Sequence, residues 1–162
     1  MLKSILPHGI ELALQDAVHA ELHASHLYKH IANQLQRMGY FGAQKHFDDA
    51  SAEELTHYAK HREFLNDCGA FARLPALEAA NDEIGSLRDA VQLAYDTELD
   101  LKQKYDRWYQ ACASQPSVQQ HLHFFLAEQV ESVGRYGDLL ALLDRAGDNE
   151  AAILMVDAKM GA

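Results

Sequence analysis

Four long stretches of this chain repeat apolar residues at the i, i+3, i+4, i+7 spacing of a helix face, and three of the four faces carry a glutamate at mid-length. The first face reads Leu14, Ala17, Glu21, Ala24, Tyr28, Ala32, Leu35, and the second Phe47, Ala50, Glu54, His57, His61, Phe64. The third reads Val91, Ala94, Glu98, Leu101, Tyr105, Trp108. The fourth, Leu122, Phe125, Gln129, Ser132, Tyr136, Leu140, Leu143, has a glutamine where the others have the acid. Faces of this kind bury themselves best against one another, so the pattern predicts an all-α, four-helix up-down bundle. It also places three carboxylates inside the core.

The stretches have readable ends. The first, α1, runs from about Gly9 to Arg37 and stops at Met38-Gly39; the second, α2, runs from about Phe41 to Asp67 and is stopped by Gly69. The third, α3, spans roughly Ser86 to Ala113. Ser114-Gln115-Pro116-Ser117 reads as a tight turn with Ser117 as the helix-starting residue, and α4 then runs to about Ala146 with Gly147 as its stop. Asn149 to Met160 is a short apolar segment, a candidate fifth helix, α5. Tight α1–α2 and α3–α4 connections imply antiparallel neighbours. The 17 residues from Gly69 to Gly85 show little periodicity and are long enough to traverse the bundle, giving one α2–α3 crossover. A single domain over residues 1–162 suffices to bury such a core without disulfides or structural zinc.

The formal charge is −10, from 14 basic and 24 acidic residues. That balance disfavours nucleic acid, which calls for clustered Lys and Arg, and suits a protein that attracts cations. No apolar run approaches the roughly 20 residues of a membrane span, so no membrane partner is expected. The start, Met1 to His8, is too short and polar for a secretory signal. Cys68 and Cys112 form no metal or redox spacing, which fits free thiols in a reducing cytoplasm.

Leaving one buried carboxylate unpaired costs several kcal/mol, against roughly 5–15 kcal/mol for a whole domain. No Lys or Arg lies on the four faces to pair with Glu21, Glu54 and Glu98. A bound cation is the natural partner, and carboxylate oxygens with one imidazole suit iron, manganese or zinc. Glu54 and His57, three apart, can grip one ion; Glu54 can bridge to a second, with Glu21 capping the first and Glu98 the second. Tyr28, two turns beyond Glu21, is placed for a hydrogen bond or for giving up an electron. An isolated E-x-x-H is a weak signal, common on solvated helix faces. Three mid-face glutamates on three long helices are a specific one.

At these residues the chain resembles the ferritins, and among them the bacterial non-haem ferritins. The resemblance runs through A-E-L-H-A-S-H-L-Y in α1, A-S-A-E-E-L-T-H-Y-A in α2 and F-F-L-A-E-Q-V-E in α4, and extends from about Leu12 to Gly161. It implies a ferroxidase centre with two iron ions per subunit, oxidising Fe(II) to Fe(III) with dioxygen or hydrogen peroxide. Glu21, Glu54 and His57 would hold the first ion, and Glu54 and Glu98 the second. Gln129 would sit beside the pair and hydrogen-bond a bound oxygen species, and Tyr28 matches the family's tyrosine near the centre. Glu53, Glu128 and Glu131 match part of a third iron position, although Ser132 stands where some bacterial ferritins have a further glutamate. The family fold implies a hollow homo-oligomeric shell of roughly two dozen subunits, a 24-mer, in which ferric mineral is stored. No haem is expected, because Leu55 stands where a bacterioferritin has its haem methionine. Bacterioferritins and rubrerythrins also take a second E-x-x-H from the last bundle helix, where this chain has Glu128-Gln129-Val130-Glu131. Two other readings of the same bundle stay open: a di-iron redox enzyme or peroxidase that stores nothing, and a non-catalytic metal-buffering shell.

Other features read more simply. His19, His23, His26 and His30 form a stripe opposite Glu21 and Tyr28, outside the bundle, as surface or subunit-contact residues or an accessory metal or pH-sensitive contact. His61, one turn past His57, is either a support for a metal ligand or a hydrogen-bonded core histidine. His121 and His123 open α4, where some ferritins have an acidic pore. α5 is too apolar for a free tail, and either folds onto its own bundle or meets another subunit.

Overall fold

Residues 3–162 are described in the computed structural model; Met1 and Leu2, the first two residues of the segment read as too polar for a signal, lie outside the described residues. Five helices account for most of the chain: α1 His8–Met38, α2 Phe41–Asp67, α3 Leu87–Ala111, α4 Pro116–Ala146 and α5 Glu150–Met160. No strand occurs among the described residues.

The helix ends follow local chemistry. Gly39, at φ 85°, takes the left-handed conformation that closes α1, and the next amide, Tyr40 N–H, donates to Leu35 O at 3.0 Å. Ser86 Oγ accepts from Asp89 N–H and starts α3. Asn149 does the same for α5 through Ala152 N–H. The start of α4 differs from the sequence expectation. Pro116, not a residue after Ser117, is the first helical position, because proline's fixed φ suits that position and its missing N–H costs nothing there. α3 also ends two residues early, at Ala111, with Cys112 as its cap.

The long connection between α2 and α3 is tied down at two points along α1. Gln15 exchanges hydrogen bonds with Arg73 (2.5 and 2.9 Å), while Gln34 donates to Asp82 O at 2.8 Å and accepts from Ile84 N–H at 3.0 Å. Those glutamines lie about 28 Å apart at 1.5 Å rise per residue, so the connection travels most of the bundle. α3 therefore starts at the end where α2 starts, parallel to α2 and antiparallel to α1, the topology expected. His30 of the exposed histidine stripe joins this anchorage, with Nε2 2.9 Å from Asp82 O.

α5 folds back against α2 and α4. Its Asp157 is buried and accepts from Ala43 N–H (2.7 Å) and Gly42 N–H (3.3 Å), satisfying first-turn amides of α2 that have no partner within that helix. Only glycine fits at position 42, because a Cβ there would meet Asp157 O at 2.0 Å. The other side of α5 stays open, with Met155 74 % exposed.

The apolar core falls into two clusters. One holds Tyr28, Ile31, Leu35, Phe47, Val91 and Tyr136, and the other Leu14, Val18, Leu65, Leu101, Leu122 and Phe125. Between them, at the waist of the bundle, lie the buried polar residues Glu21, Glu54, His57, Glu98 and Gln129. On the α4 face Leu122, Leu139 and Leu143 are buried, whereas Leu140 and Ser132 are half-buried.

Candidate metal centre

Every helix of the bundle sends a polar side chain into the waist, from the mid-face position its periodicity assigns. Glu21, Glu54, Glu98, His57 and Gln129 are all buried. Glu21, Glu54 and His57 each offer a ligand atom within 4.8 Å of the others. No lysine or arginine forms an ion pair with any of these carboxylates among the described residues.

Two tyrosines lace the centre across α1 and α3. Tyr28 donates to Glu98 Oε1, and Tyr105 donates to Glu21 Oε1. Because the two helices are antiparallel and each tyrosine follows its glutamate by two turns, each lies level with the other helix's acid. Tyr28 thus bonds the glutamate across the bundle, not the one on its own face. Tyr105 lies on the α3 face, yet its part in the site was missed from sequence. The signal was present, since Glu98 and Tyr105 repeat the spacing of Glu21 and Tyr28.

The two carboxylates end up in different states. Glu98 has both oxygens engaged, since Gln129 Nε2 donates to Oε2 at 3.0 Å and to the Glu98 backbone O at 3.2 Å in the amide orientation this network requires. Gln129 therefore holds Glu98. Glu21 Oε2, in contrast, is buried without a hydrogen-bond partner. A buried carboxylate oxygen with no hydrogen-bond partner among the described residues, beside another acid and an imidazole, fits a cation site on the chemistry of its donors.

The protonation pattern agrees. Burial pushes Glu54 up to about 8, helped by Glu21 and opposed by the His57 hydrogen bond. Burial opposes the charge of His57, but Glu21 and Glu54 outweigh it and carry its pKa up to about 10. His57 Nδ1 lies 2.8 Å from Glu54 Oε2, so the imidazole and the carboxylate are joined by a hydrogen bond. Glu98 is likewise pushed up to about 8, by burial and then by the nearby Glu54 charge.

Glu53, His57 and Glu128 form a second, less buried group with ligand atoms within 4.8 Å of one another. Glu131 is not brought into it. Glu131 is exposed and faces Arg135 at 3.4 Å, and that arginine also approaches Glu53 at 3.8 Å. His19, His23 and His26 are exposed, away from the centre, as their stripe predicted. His61 turns inward and is fully buried, with Nε2 2.7 Å from Tyr105 Oη and Nδ1 2.9 Å from His121 Nε2.

Comparison with known proteins agrees with the geometry. A family match to the ferritin-like domain spans residues 11–146. A ferritin of Pacifastacus leniusculus is 33 % identical over 150 residues, covering 88 % of this chain and 82 % of its own. A bacterial non-heme ferritin of Staphylococcus aureus is 25 % identical over 152 residues, covering 93 % and 92 %. In fold, an open-pore ferritin from the archaeon Archaeoglobus fulgidus superposes with a TM-score of 0.92 at 23 % identity, covering 96 % of this chain and 98 % of that one.

Proposed function

The chain belongs to the ferritin family, and we propose that it oxidises Fe(II) to Fe(III) at the waist of its bundle and stores the ferric product inside a shell of its own copies. The observation that carries this reading is the buried Glu21, Glu54 and His57 cluster with its unpartnered Glu21 Oε2, a cost to the metal-free fold that a cation removes.

Ferrous iron is the substrate. Glu21, Glu54 and His57 would hold the first ion, and Glu54 and Glu98 the second. Dioxygen or peroxide accepts the electrons. Gln129, beside the pair, would offer its amide to the oxidant, and Tyr28, packed against Phe47 and Tyr136 and bonded to Glu98, is close enough to lend an electron. The Glu53, His57 and Glu128 group would supply a third iron position.

Shell assembly is supported by what one chain leaves uncovered. Ile5, Leu12, Phe71 and Leu74 stand exposed around the start of α1 and the crossover, and Leu154 and Met155 on α5. Large exposed apolar side chains grouped in this way suit subunit contacts. Among the described residues no helix is long and apolar enough to cross a membrane, and two free cysteines suit the cytoplasm.

The test is Glu54→Ala. Stopped-flow oxidation of Fe(II) in this variant is expected to lose the fast phase while the assembly keeps its size. Wild-type rates would remove the site from this position. A wild type that binds ferrous ions without oxidising them would favour metal buffering.

A further inference from the structure

A buried polar arm leaves the centre on its Glu21 side. It starts at Glu21 and leaves the bundle through three side chains on three different helices. Tyr105 of α3 donates to Glu21 Oε1, His61 Nε2 of α2 lies 2.7 Å from Tyr105 Oη, and His121 Nε2 of α4 lies 2.9 Å from His61 Nδ1. Tyr105 and His61 are fully buried, while His121 is half-buried and reaches the surface.

Hydrogen-bond chemistry orients the whole arm. Tyr105 has a single hydroxyl proton and gives it to Glu21. Its oxygen must then accept, so His61 donates from Nε2. His61 is fully buried between these two partners, and an imidazole that donates from Nε2 accepts at Nδ1 in its neutral form. His121 therefore donates from Nε2. All three donors point inward, and each makes the next a stronger donor.

The Glu98 side lacks such an arm. Tyr28, its tyrosine, is backed by the rings of Phe47 and Tyr136 and has no second hydrogen-bond partner among the described residues. The outcome at Glu21 is also distinct: Oε1 is pinned, while Oε2 has no hydrogen-bond partner among the described residues and faces His57 Nδ1 at 3.7 Å.

We propose that His121 and His61 are positioning residues that, through Tyr105, hold Glu21 with Oε2 presented to the metal, and so set the affinity of the one ion position that Glu21 serves. This rests on the proposed metal site, because without an ion at Glu21 there is nothing for the arm to position.

The experiment is an anaerobic titration of the assembled, full-length protein with Co(II), followed by its d–d absorption, in wild type, His121→Phe and His121→Gln. Phenylalanine keeps the stacking of ring 121 on Phe64, whose centroids lie 4.1 Å apart, but removes the donor. Glutamine restores a donor near the position of the imidazole Nε2. In His121→Phe one of the two binding steps is expected to weaken about tenfold, the lower end of the range for outer partners of a ligand. The absorption of that ion shifts, the other step is unchanged, and His121→Gln restores both affinity and spectrum. Two results overturn the proposal: a His121→Phe titration identical to wild type, or equal weakening of both steps that glutamine does not rescue. Failure of wild type to bind a pair of Co(II) ions would instead refute the metal site itself.

Discussion

Replacing Glu98 by glutamine should stabilise the metal-free protein at neutral pH while crippling the metal-bound one. In the metal-free fold, burial and the neighbouring Glu54 charge raise Glu98 from 4.5 to about 8. A carboxyl raised in this way supports folding fully below its unfolded value and loses that support as pH climbs through its folded value. The window is therefore pH 4.5 to 8. At roughly 1.4 kcal/mol per pH unit, the ionisable carboxyl costs the fold about 3 kcal/mol at pH 7. An amide of the same shape does not titrate, and loses about 1 kcal/mol through imperfect replacement of the Tyr28 and Gln129 hydrogen bonds. The net gain at pH 7 is about 2 kcal/mol, or roughly 5 °C in Tm for a chain of this size. The assay is thermal unfolding of chelator-treated wild type and Glu98→Gln from pH 5 to 8.5, at one protein concentration and scan rate. The gap should be small or reversed at pH 5 and widen as pH rises. Zinc should then stabilise wild type far more than the variant. A gap independent of pH, or a variant less stable throughout, would refute the claim that Glu98 is held protonated by its surroundings.

Other consequences are more local. Asp157→Ala removes the acceptor for Ala43 and Gly42 N–H and should cost about 1–2 kcal/mol, read by thermal unfolding. It should also release α5, seen as faster amide exchange over residues 150–160; unchanged exchange would mean that apolar packing alone holds the helix. Ferrous ions bound beyond the pair, counted anaerobically, should fall in Glu128→Gln and stay constant in Glu131→Gln, because only Glu128 stands with Glu53 and His57.

The helical periodicity was enough to read the bundle, because burial of one face per helix dictates both the spacing of apolar residues and where a lone acid must sit. All seven residues of the α1 face are buried, Leu14 to Leu35. The crossover was legible as a long stretch without periodicity. What anchors it was not, since Gln15 and Gln34 lie on a polar surface where any glutamine would look alike. That Glu21, Glu54 and His57 meet in the core was legible because acids on an apolar face are expensive. Tyr105 was not singled out, because an aromatic on a core face normally needs no further explanation, and its bond is to a helix about 84 residues away in sequence. The first residue of α4 was misplaced because serine and proline are both helix-start signals, and proline at 116 took the earlier position. Glu131 shares a segment with Glu128, but three residues of helix turn it toward Arg135 and solvent.

The most direct measurement is aerobic addition of a large molar excess of Fe(II) to the purified metal-free protein, followed by size separation with iron detection. Rapid oxidation is expected, with iron that co-elutes with a shell-sized assembly, far beyond a few ions per chain. Oxidation that stops at a few ions per chain, or ferric precipitate outside a small oligomer, would contradict storage and leave a di-iron redox enzyme on the same bundle.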